Sequence, residues 1–128
     1  MTFLLDTNVL IQIRDGDAGI TSKVAALSGG LVMSIVSRVE LESGVYRDVI
    51  QVGARRPRLD AILATIPALA FDDASADAYR SIVESAGYSR RKLLDRMMAA
   101  QALVFRATLV TQNPRDFDDV IGLTLLAW

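Results

Sequence analysis

The segment Phe3-Leu4-Leu5-Asp6-Thr7-Asn8-Val9-Leu10-Ile11 constrains the fold more than any other. A short apolar run at the head of a chain reads as a buried parallel strand, because strands covered on both faces are continuously apolar. Thr7 or Asn8 is then expected to cap the following helix. Asp6 falls where a central strand ends and a helix begins, at the rim of an open sheet where ligands bind. A plainer reading makes Asp6 a helix cap and nothing more, but three successive cap-competent residues exceed what a cap requires.

Missing residue types narrow the chemistry. The chain has 128 residues with no Cys and no His, which excludes a disulfide scaffold, a thiolate or imidazole zinc site, a Ser-His-Asp triad, a Cys nucleophile and a His general base. Any catalysis falls to carboxylates, and carboxylate, amide and water oxygens suit Mg²⁺ or Mn²⁺. At 52% apolar residues and a net charge of −1, the chain is expected to fold as one domain over residues 1–128 and to lack a broadly polyanion-binding surface. No apolar stretch reaches the roughly 18 residues of a membrane helix, and no export leader is evident, so a cytoplasmic protein is expected.

Strand and helix patterns alternate along the chain, as in an α/β fold with a parallel sheet between helix layers. Val9–Arg14 and Ser22–Leu27 read as short helices, and Leu31–Met33 as a strand. Ser34–Val45 reads as a helix capped by Ser34, with Glu40 in its second turn; the competing reading is a capping box, Ser37-x-x-Glu40, with the helix starting after Ser37. Arg55-Arg56-Pro57-Arg58 reads as a basic junction before a helix carrying Leu59, Ile62, Leu63 and Ile66, which Pro67 stops. Ala68–Phe71 reads as a strand, Ala74–Ala86 as a helix ended by Gly87, and Tyr88–Lys92 as an exposed basic loop. Leu93–Phe105 reads as a buried helix, Thr108–Val110 as a strand, and Leu123–Ala127 as a final edge strand.

Asp95 lies in the first turn of its helix, where the helix dipole alone accounts for a carboxylate. Asn113 as cap, Pro114 at the first helical position and Asp116 beyond it also make a plausible structural cap. Yet residues placed after different strands of a parallel sheet share one rim. Acids brought together there repel unless a cation or proton intervenes. A divalent metal relieves that repulsion and supports phosphodiester hydrolysis. The residues alone do not choose RNA over DNA.

Four motifs then occur in a familiar order: Leu5-Asp6-Thr7-Asn8-Val9, Ser34-x-x-Ser37-x-x-Glu40-Leu41, Asp95-x-x-Met98-Ala99-Ala100-x-Ala102 and Thr111-x-Asn113-x-x-Asp116-Phe117. Over essentially its whole length the chain resembles the PIN-domain ribonucleases, specifically the VapC-type toxins of bacterial toxin–antitoxin pairs. The resemblance implies a three-layer α/β/α fold with a mostly parallel twisted sheet and an acidic Mg²⁺ site. Asp6, Glu40 and Asp95 match the family's recurrent acids. The fourth position is open between two residues: the family places an acid or amide at the place of Asn113 and often an acid at that of Asp116. Thr7, Asn8, Thr111 and Asn113 would support the acids by hydrogen bonds. Met98 stands where Ile is common.

The expected activity is Mg²⁺-dependent endoribonuclease action, Mn²⁺ being an alternative ion. Water would attack a phosphodiester in line, leaving 5′-phosphate and 3′-hydroxyl ends. Arg90, Arg91 and Lys92, or Arg55, Arg56 and Arg58, would hold the RNA backbone. The resemblance also implies a VapB-type antitoxin, a homodimer, operator DNA bound through the antitoxin complex, and a transfer RNA as one possible substrate. Two rivals remain: a non-catalytic module whose acidic rim docks a partner or structural ion, and a phosphotransfer domain using Asp6. The latter is disfavoured by Asn8 where a second acid is wanted and by the absence of an acidic pair near the first strand.

Overall fold

The computed structural model describes all residues, 1–128. Five parallel strands form one sheet in the order β3-β2-β1-β4-β5: β1 (Thr2–Leu5), β2 (Gly30–Ser34), β3 (Ala68–Leu69), β4 (Thr108–Thr111) and β5 (Leu125–Ala127). β1 lies in the middle, with Phe3 paired to Leu31 on one side and to Thr108 on the other. The chain adds β2 and β3 on one flank of β1, then returns to place β4 and β5 on the other. The order therefore reverses at β1, and the crevice beyond the carboxyl ends of β1 and β4 is the switch point of the sheet.

Alternation along β1 divides the core. Phe3 and Leu5 face a cluster with Val9, Leu10, Met33, Leu41, Leu59 and Ile62. Leu4 faces the opposite cluster with Ile82, Met98, Ala99, Ala100, Leu109 and Phe117. Helices α1 (Thr7–Arg14), α2 (Ala18–Ala25), α3 (Ile35–Arg47) and α4 (Val52–Thr65) supply the first layer; α5 (Asp73–Ala86) and α6 (Leu93–Phe105) supply the second. The alanines of α6 bring that helix close to the sheet, and its one buried amide, Gln101, donates to the carbonyls of Leu69 and Ala70. No helix is long and apolar enough to cross a membrane.

Several boundaries differ from the sequence reading. α1 starts at Thr7, and Asp6, not Thr7 or Asn8, is its cap; the Asp6 carbonyl already accepts from Leu10 N–H. α2 starts at Ala18 because the Asp17 carboxylate takes the Ile20 N–H at 3.0 Å, so the helix expected at Ser22–Leu27 begins four residues earlier. α3 is capped by Ser34, whose Oγ accepts from Val36 N–H at 3.0 Å, and this excludes the capping box at Ser37. Arg55-Arg56-Pro57-Arg58 is not a junction: α4 runs through it after a 3₁₀ turn at Val49–Gln51. Pro57 is exposed, so the helix loses one amide bond on its solvent side and continues. β3 and β5 are shorter than the apolar runs that suggested them, and β4 extends to Thr111. Asn113 stands at the head of a 3₁₀ turn (Pro114–Phe117), but its side chain makes no capping bond; its own N–H donates instead to Thr111 Oγ1.

Candidate active site

A cleft of about 710 Å³ opens at the switch point. Asp6 enters it from the end of β1, Glu40 from α3, Asp95 from the first turn of α6 and Asp116 from the 3₁₀ turn after β4. Four acids separated by up to 110 positions thus line one concavity. Asn113 is exposed and does not line it, so of the two candidates for the fourth position Asp116 is the one that faces the cleft.

Asp6 is only 5% exposed, and both of its oxygens are engaged. Oδ1 accepts from Thr7 N–H and Oδ2 from the Thr111 hydroxyl, each at 2.7 Å. An ordinary cap reaches the second or third amide of its helix. Asp6 instead takes the first, leaving the carboxylate free to span from α1 to β4. Burial pushes its carboxyl above the usual range, the bonds from Thr111 and Thr7 pull it back, and the charge of Asp116 adds to the rise.

Thr7 organises the neighbouring acid. Its Oγ1 lies 2.9 Å from Glu40 Oε1 and 2.8 Å from Ser37 Oγ. One hydroxyl has one proton. The carboxylate is the stronger acceptor, so Thr7 donates to Glu40 and receives the proton of Ser37, giving a relay from Ser37 through Thr7 to Glu40. Met98 Sδ, 3.3 Å from Ser37 Oγ, closes the floor beneath it. Asn8 is exposed on the cleft wall.

Asp95 registers the crowding directly. Burial, then the charges of Asp6, Asp116 and Glu40, push its carboxyl up to about 6 against a smaller opposing pull from Lys92. The acids share one field, although no three of them are gathered tightly enough to form a ligand set in their present side-chain positions. Asp6 and Glu40 are turned onto protein donors instead.

The basic candidates separate. Arg55 and Arg91 line the cleft. Arg56 is held by Glu42 at 2.6 Å and by Asp60 at 2.6 Å, and Lys92 by Asp119 at 3.1 Å. Arg58 and Arg90 are exposed away from the cleft lining. Arg14 and Arg47 also line it, and the sequence reading had not singled them out. Both are basic residues in the last turns of their helices, a pattern ordinarily read as complementing the helix dipole.

The family model for the PIN domain matches residues 3–123. The chain belongs to the PIN-domain family. This PIN domain is similar in fold to VapBC2 from Rickettsia felis, solved bound to a DNA fragment from its promoter, with 23% identity and a TM-score of 0.84 over 100% of this chain and 99% of that one. It is similar to the DNA-bound VapBC from Salmonella typhimurium, at 20% identity and a TM-score of 0.83 over 100% and 98% of the two chains. It also resembles FitAcB from Neisseria gonorrhoeae, at 24% identity and a TM-score of 0.79 over 97% and 96%. No curated protein matches the sequence. The three-layer α/β/α expectation and the PIN resemblance are both met, with a sheet that is parallel throughout.

Proposed function

We propose that this PIN domain is a metal-dependent endoribonuclease and the toxin of a VapBC-type toxin–antitoxin pair. The observation that carries the reading is the convergence of Asp6, Glu40, Asp95 and Asp116 on one cleft at the switch point of the sheet. The donor set is all oxygen, and burial together with the charges of Asp6, Asp116 and Glu40 pushes the Asp95 carboxyl up to about 6, an environment that a hard dication relieves. Asp6 and Asp95 would hold Mg²⁺ or Mn²⁺, with Glu40 and Asp116 contributing directly or through water. Such an ion supplies positive charge at the phosphate and acidifies water there.

The protein's own groups do the rest. Thr7 and Thr111 keep Asp6 fixed between α1 and β4, and Thr7 orients Glu40. Arg91 and Arg55 on the cleft walls attract the RNA backbone. Hydrolysis adds water to phosphorus and breaks the bond to O3′, leaving a 3′-hydroxyl and a 5′-phosphate. A phosphoacceptor role for Asp6 is disfavoured by Asn8, which stands where such chemistry wants a second acid.

The structural neighbours solved as VapBC complexes support a VapB-type antitoxin as partner. Exposed Val39, Leu94, Tyr46, Val49 and Ile50 supply apolar surface for such contacts, including a homodimer. Operator DNA would be bound through the antitoxin, the toxin would act in the cytoplasm, and a transfer RNA is among the substrates to test first. Purified protein with Mg²⁺ should cut RNA to 5′-phosphate ends. Asp6→Asn and Asp95→Asn should each abolish cutting while remaining folded. Full activity in either variant would remove the assigned acid from the site.

A further inference from the structure

The cleft has a second, basic region that the acids do not explain. Arg14, the last residue of α1, is 4% exposed, yet its Nη1 has no hydrogen-bond partner. Its Nε is paired with Asp15 Oδ1 at 3.1 Å, so one edge of the guanidinium is fixed and another is left without an acceptor. The residue lines the same cleft as Asp6. Buried donors are normally satisfied, and an orphan one points to a missing acceptor.

The neighbourhood is shaped around this side chain. A Cβ at Gly44 of α3 would sit 2.7 Å from Arg14 Nη1. Glycine is a poor residue inside a helix, and the room it leaves for Arg14 accounts for it. Arg55 of α4 donates from Nη1 to the Gly44 carbonyl at 2.9 Å, and Arg47 lines the same region. Three helices therefore bring Arg14, Arg47 and Arg55 to one part of the cleft, offset by Asp15 and Asp48.

We propose that Arg14, seated on Gly44, binds a backbone phosphate of the RNA other than the one being cut. The inference rests on the nuclease reading of the acids. Asp6 and Arg14 are eight residues apart across α1, roughly 12 Å by the rise of a helix. The guanidinium tip lies against Gly44, one turn of α3 beyond Glu40, which suits a neighbouring phosphate on the same strand. A guanidinium held on one edge presents its remaining donors without further ordering, as phosphate recognition favours. RNA is favoured over a protein carboxylate because only three of the sixteen lining residues, Ile11, Leu94 and Met98, are apolar, which leaves little for a peptide to bury.

The test titrates a short single-stranded oligoribonucleotide against protein carrying Asp6→Asn, so that binding is read without cleavage. Adding Arg14→Gln should weaken binding about tenfold or more and reduce the slope of log affinity against log salt by about 0.7. Arg14→Lys should recover part of the affinity, since charge returns without the fork. Gly44→Ala pushes only the flexible tip of Arg14 and improves helix propensity, so it should weaken RNA binding with no loss of melting temperature; it decides the matter if Arg14→Gln does not fold. Unchanged RNA affinity in folded Arg14→Gln and Gly44→Ala proteins overturns the subsite, and does so in favour of a protein carboxylate if an Asp/Glu-rich peptide is bound less well. If the unsubstituted protein still cuts RNA with Mg²⁺ in that case, the nuclease reading survives; if it neither cuts nor binds RNA, both fall.

Discussion

Asp95 titrates near 3.8 in an unfolded chain and near 6 in the cleft. Below about pH 4 both states hold the proton and folding gains the full benefit. As pH rises toward 6 the unfolded chain has released its proton while the folded one retains it, so stability falls, and above the folded value the loss is complete. At full value the displacement is worth about 3 kcal/mol, and solvent reaching a half-buried group screens that to about 1 kcal/mol. Asp95→Asn should therefore stabilise the metal-free protein by about 1 kcal/mol at about pH 8 and by almost nothing at about pH 4. Urea unfolding of the two proteins at both pH values checks this. A variant less stable than the parent at alkaline pH would mean that the Asp95 carboxylate is held by a partner and not crowded by its neighbours.

At the scale of elements, the start of α3 sets the register of the site. Ser34 ends β2, is fully buried, and caps α3 through Val36 N–H. That start places Ser37 on Thr7 and Glu40 one turn from the cap region, where Thr7 can reach it. Ser34→Ala strands a buried amide and should cost about 1–2 kcal/mol in chemical denaturation; a loss below about 0.3 kcal/mol would show that the amide finds another acceptor. Elements of this kind were legible in the sequence, because apolar period, caps and Gly or Pro stops are local signals: the strand before Asp6, the helix after Ser34, and the turn after Thr111 all announce themselves. The arginines were not. Arg55 and Arg56 stand side by side in the sequence, but one faces the cleft and the other is tied to Glu42 and Asp60 on the outer side of α4. Pro57 disguised that helix as a junction. Arg14 and Gly44 gain meaning only from the packing of α1 on α3, a contact across thirty positions that no local pattern records.

For the molecule as a whole, the reversal of strand order at β1 costs stability where it produces the site. The sheet gathers acids from four elements at one rim, and the fold holds them there by hydrogen bonds to Thr7 and Thr111 and by the layers packed above and below. Their repulsion opposes folding in proportion to how many are ionised, so a dication that binds the folded rim and not the unfolded chain is linked to stability. At about a hundred times its dissociation constant, one bound ion adds about 2.7 kcal/mol, which for a domain of this size raises the melting temperature by roughly 5–15 °C. The rise should be larger at pH 8 than at pH 5, because protons compete with the ion for Asp95. It should be cut sharply in both Asp6→Asn and Asp95→Asn, whereas Asp73→Asn, on the exposed first turn of α5 away from the cleft, should leave it intact. Thermal melts across a Mg²⁺ and a Mn²⁺ titration read this without any RNA present. A melting temperature indifferent to either ion at pH 8, or one that rises equally in the Asp6→Asn protein, would mean that the acids gathered at the rim are not a cation site.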